Sequence, residues 1–131
     1  MNADAATGVS RGMDNAFAML LALSMAAQSP HEAAALVRLP TIHTYLASRG
    51  WTSGKSPAWT FGRGIVWNAP PSTHGDDYGV LFPNAEEPRD YAMVLVDAAN
   101  GVGVEESRSG THVLAAWLFA QWQTGTFRVM P

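Results

Sequence analysis

Apolar positions along this chain fall into helical runs at both ends and a short strand-like region between them. The segment 15–28 is apolar on nearly every face, and Asp14 stands before it as a cap. Ser29-Pro30-His31-Glu32 comes next, with serine at an N-cap, proline at N1 and glutamate at N3, which combines a capping box with the favoured proline position. The helix it opens carries Ala34, Leu36 and Val37 and must stop or kink before Pro40. Thr41 is placed to cap a further helix through Ile42, Tyr45 and Leu46, which ends at Gly50.

From Trp51 the pattern changes. The stretch 52–57 reads as a polar loop, and 59–67 alternates so that Trp59, Phe61, Ile65 and Trp67 share one strand face. Gly62 and Gly64 flank Arg63, which suggests a bulge or a close backbone approach. A long loop, 68–77, leads to a second strand over 78–82 that Pro83 and Asn84 stop. Pro88 opens a helix with Tyr91, Leu95, Ala98 and Val102 on one stripe, and Asn100-Gly101 reads as its stop. Ser107 or Ser109 caps a last helix whose Val113, Leu114, Trp117 and Leu118 fall on one face, and 126–130 offers a third, edge strand. This order predicts an α+β fold: a mainly helical single domain over 13–131, with a small two- or three-stranded antiparallel sheet, preceded by a flexible arm over 1–12.

Composition narrows the picture. A chain of 131 residues with 47% hydrophobic and 15% charged positions can bury one real core. It has no cysteine, which excludes disulfides, a thiol nucleophile and cysteine-based metal sites and fits a cytoplasmic setting. A net charge of −3 with eight Lys and Arg argues against a broad electrostatic grip on nucleic acid. The apolar 15–28 run also resembles a secretory signal core after Arg11, but Asp4 and Asp14 spoil the basic leader region, so a buried helix is the preferred reading. It is far shorter than the ~20 residues a bilayer span needs, so no membrane insertion is expected.

Candidate chemistry is sparse. His74, Asp76 and Asp77 sit in one loop and could hold a hard divalent ion or form an acid–base pair, although a solvated glycine–aspartate turn explains the same residues. Arg63, with Trp59 and Trp67, could present a guanidinium to a phosphate or carboxylate, or lie across the indoles as a cation–π partner. Glu105, Glu106 and Arg108 form a charged corner that reads as solvated surface. His31, His43 and His112 are isolated in sequence, and Gly62 and Gly64 lack the rest of a dinucleotide fingerprint. No catalytic set and no cofactor is implied.

Two resemblances can be placed on these residues. The 78–118 unit, a strand, a helix, Glu106-Ser107-Arg108-Ser109 and a helix, resembles ribbon–helix–helix DNA-binding proteins in order and spacing. The resemblance implies a dimer whose paired strands enter a major groove, yet 78–82 carries no Arg, Lys, Gln, Asn or Thr to read bases. Residues 41–118 resemble HicA-like toxin ribonucleases in order of elements, with Gly50-Trp51 at the start, while Gly62-Arg63-Gly64 stands where that family's strand histidine would act.

The leading expectation is a non-enzymatic protein-binding or regulatory module that forms a homo-oligomer, with Phe17, Leu20, Leu21 and Leu23 at the interface. A DNA-binding regulator of ribbon–helix–helix type and a small metal-dependent hydrolase or nuclease using the His74–Asp77 loop are the alternatives. Another protein is an expected partner; duplex nucleic acid is not.

Overall fold

The computed structural model describes the backbone over 3–71 and 78–124, and the side chains over 15–71 and 78–123. Within these residues five helices pack with a three-stranded antiparallel sheet, as the α+β reading requires. The order is α1 (Ala3–Gln28), α2 (Pro30–Leu36), α3 (Leu39–Ser48), β1 (Thr52–Ser53), a 3-10 turn (Ala58–Thr60), β2 (Gly64–Asn68), β3 (Gly79–Pro83), α4 (Tyr91–Glu106) and α5 (Gly110–Thr124). The His74–Asp77 loop and the proposed strand at 126–130 lie outside the described residues.

The core forms where α4 and α5 cover β3. Tyr91, Leu95, Ala98 and Val102 are buried along α4, and Val113, Leu114, Trp117 and Leu118 along α5, on the stripes that their spacing predicts. The Trp117 ring packs against Phe82 of β3 at 5.8 Å and meets Tyr45 of α3 edge-on at 6.4 Å. Burying side chains of this size contributes roughly 1.5–3 kcal/mol each. β2 pairs along its whole length with β3, from Gly64 opposite Pro83 to Asn68 opposite Gly79.

Several boundaries differ from the sequence reading, each for a local reason. The third strand is β1, from the 52–57 stretch read as a loop, with Thr52 opposite Asn68. β2 starts only at Gly64, so Trp59 and Phe61 leave the strand face assigned to them and sit on the 3-10 turn and its left-handed end. α4 continues past Asn100 and Gly101 to Glu106 and closes at Ser107, a left-handed residue, with Arg108 N–H donating to the Gly103 carbonyl at 2.9 Å. The internal glycines serve packing rather than termination. A Cβ at Gly101 would stand 3.0 Å from a Val80 methyl, and one at Gly103 would stand 2.4 Å from the Arg108 carbonyl oxygen.

The helix starts also correct two caps. Ser29 is at the N-cap of α2 and Pro30 follows, but the serine side chain makes no capping hydrogen bond, so the capping box does not form. Ser29 instead continues from α1, its N–H donating to Met25 O at 2.7 Å. α3 begins at Leu39 with Pro40 in its first turn, ahead of the expected Thr41 cap. Ser109 does cap α5: its Oγ accepts the His112 N–H at 3.2 Å. At the N-terminus the helical backbone of α1 runs on from Ala3, through the segment read as an arm.

Candidate functional site

α1 is assembled in an unusual sense for a surface helix. Ala18, Ala22 and Ala26, four residues apart, are buried, so the helix packs through its smallest side chains. At about 100° per residue the large apolar residues turn outward. Phe17 is 63% exposed, Leu20 64% and Leu21 49%, while Leu23 is half-buried against the core. The end of α5 extends this face with Trp122, which is 55% exposed. Between the two helices runs an apolar groove of about 300 Å³, walled by Leu21, Met25, Leu36, Leu118, Phe119 and Trp122.

Three of the four residues expected at an interface therefore lie in water in a single chain, on one surface. Trp122 and the groove were not foreseen. Their signal is present, because Phe119 and Trp122 recur at helical spacing on the side of α5 away from Trp117.

A second pocket, of about 290 Å³, opens beside the 3-10 turn. Trp59 and Arg63 both line it, along with Phe61 from the turn and Asp90 from the start of α4. Trp67 does not join them: it is buried, with the His43 ring stacked on it at 5.3 Å. Burial holds the His43 imidazole below its ordinary pKa.

The charged corner is more buried than expected. Glu106 binds Arg108 at 2.5 Å and approaches Arg49 at 3.6 Å, and Arg108 also donates to the Tyr45 hydroxyl. With the Arg49 guanidinium 4.8 Å over the Tyr45 ring, this cluster ties the end of α3 to the α4–α5 turn.

Ser109 Oγ and His112 Nδ1 lie 2.7 Å apart, a serine–histidine contact that the sequence reading did not single out. It belongs to the first turn of α5, where the same oxygen caps the helix, and among the described residues no carboxylate orients the ring. Among the described residues no three His, Asp or Glu side chains group as metal ligands, and no helix is long and apolar enough to cross a membrane.

The strand that a ribbon–helix–helix protein would insert into DNA is β3, which here pairs with β2 of its own chain. Comparison with protein-family models, with curated proteins and with solved structures returns no match.

Proposed function

We propose that this protein is a non-enzymatic protein-binding module that self-associates, and that the outward face of α1 with the end of α5 is its interface. One observation carries the reading: Phe17, Leu20, Leu21 and Trp122 stand in water beside an apolar groove on the same surface. Exposed apolar patches of this continuity mark interfaces. Protrusion and groove on one surface suit a two-fold dimer, in which each copy fills the other. The 15–28 stretch carries no charged residue, so an apolar copy of itself is the matching partner. A cytoplasmic homodimer also agrees with the absence of cysteine.

The length of α1 suits the role. Its 26 residues extend about 39 Å at 1.5 Å per residue, enough for a paired-helix seam burying roughly 800 Å² per copy. Covering four large side chains supplies on the order of 6–10 kcal/mol before the costs of association.

Analytical ultracentrifugation of the intact chain and of a Phe17→Glu, Leu20→Glu variant tests this. Both side chains are already exposed in the single chain, so charging them leaves the monomer fold intact, which circular dichroism verifies. The expected result is a dimer at tens of micromolar that the variant converts to monomer. An intact chain that sediments as a monomer at that concentration overturns the proposal.

A further inference from the structure

The 57–64 turn holds an aromatic residue where stability alone would not. Phe61 lies in the left-handed region, at φ 52° and ψ 39°, and is 89% exposed. Glycine or asparagine suits that backbone region better, and the exposed ring gains nothing from burial. Yet the turn is firmly built. Phe61 N–H donates to Ala58 O at 3.1 Å, Arg63 N–H to Thr60 O at 3.0 Å, and Thr60 Oγ1 to Pro57 O at 2.6 Å. From β3's end, Asn84 donates its N–H to Arg63 O at 2.8 Å and its Nδ2 to Gly62 O at 3.2 Å.

What this scaffold presents is a pair of exposed aromatic rings beside an arginine. Trp59, 71% exposed, and Phe61 stand with Arg63 at a pocket whose apolar wall is Leu81, Phe82 and Val94. Arg38, Arg49 and Arg108 each carry an ion pair; Arg63 carries none among the described residues. Asp90 brings a carboxylate to the same pocket from the N-cap of α4, where the helix dipole favours a negative charge although the side chain makes no capping hydrogen bond. Among the described residues neither Arg63 nor Asp90 takes part in an ion pair, and the guanidinium is the charge that comes from the turn bearing the two exposed rings. A volume of about 290 Å³ admits one ring or branched chain and is too small for a dinucleotide.

We propose that this pocket binds a small apolar carboxylate, an aromatic or branched aliphatic acid. Its apolar part lies against Trp59 and Phe61, and its carboxylate meets the Arg63 guanidinium, which matches that group with two parallel N–H donors. The site is separate from the α1–α5 face and does not depend on self-association.

The test titrates the full chain with phenylacetate, phenylacetamide and phenethylamine while following the Trp59 indole N–H by NMR, the signal being assigned with Trp59→Phe. Phenylacetate is expected to shift it saturably at low millimolar concentration, with the amide and the amine at least about tenfold weaker. Arg63→Gln should weaken phenylacetate by about tenfold, and Asp90→Asn should strengthen it. Phe61→Gly should weaken binding and raise the melting temperature together, a combination that a purely structural residue would not give. Equal responses to the three compounds, preference for the amine, no shift by roughly 20 mM phenylacetate, or unchanged affinity in Arg63→Gln each overturn the proposal. So does a lower melting temperature in Phe61→Gly.

Discussion

The Tyr91 hydroxyl donates to the Val37 carbonyl oxygen across 2.5 Å, fully inside the protein, joining the start of α4 to the break between α2 and α3. The two-residue break at Val37 and Arg38 leaves backbone groups with no helical partner. Other elements supply them. Arg38 N–H donates to Gln121 Oε1 at 3.0 Å, Thr41 Oγ1 donates to the same oxygen at 2.6 Å, and Leu39 N–H donates to Glu86 Oε2 at 2.9 Å. Tyr91, Gln121 and Glu86 thus finish a corner that the local sequence cannot finish for itself.

Removing the Tyr91 hydroxyl should therefore cost more than its size suggests. Tyr91→Phe leaves a buried carbonyl without this donor and is expected to destabilise by about 1–3 kcal/mol. Ser29→Ala, at a cap position whose side chain makes no capping bond, should change stability by less than about 0.5 kcal/mol. Urea unfolding of the two variants beside the parent measures both, and equal losses would contradict the assignment.

Gly103→Ala reverses the ordinary helix preference. Alanine in a helix interior normally gains about 1 kcal/mol over glycine. Here its methyl would stand 2.4 Å from the Arg108 carbonyl oxygen, so the α4–α5 turn must open and the substitution should destabilise by roughly 2 kcal/mol or more. A thermal melt at or above that of the parent would contradict this.

Acid should loosen the protein partly through His43. Its folded-state pKa lies below the ordinary value because burial against Trp67 disfavours the imidazolium. The sign follows: the neutral ring's contribution is complete above about pH 6.5 and is lost as pH falls through the lower, folded value. Melting temperatures across pH 8 to 5 should show a shallower acid limb in His43→Gln than in the parent; parallel limbs would remove His43 from the account.

What the sequence carried was periodicity. The buried stripes of α4 and α5 stand where their spacing put them, since a repeat near four residues can face a core in only one way. Termini carried less. Asn100-Gly101 looks like a stop because glycine at that place usually is one, yet here it makes room for Val80, a residue distant in sequence. The alternation over 59–67 likewise masked a turn, for Phe61 and Gly62 take positive φ values that residue type alone does not announce. The outward residues of α1 were legible as an excess of apolar surface. Which of them reach water depended on Ala18, Ala22 and Ala26 taking the core side, and that is decided by how closely α5 approaches.

That alanine seam also sets how firmly α1 is held. Alanine loses no side-chain freedom on packing, but it returns only about one methyl group of buried surface, near 0.8 kcal/mol. Over the described side chains of 15–28, three such contacts, with part of Met19, Leu23 and Met25, join α1 to the core, whereas α4 and α5 are locked by Trp117, Leu95 and Tyr91. The largest buried side chains thus stand on α4, α5 and the sheet, and the smallest on the described part of α1. Over 15–28, α1 therefore turns its large apolar side chains to water and its smallest ones to the core, the reverse of the usual amphipathic arrangement.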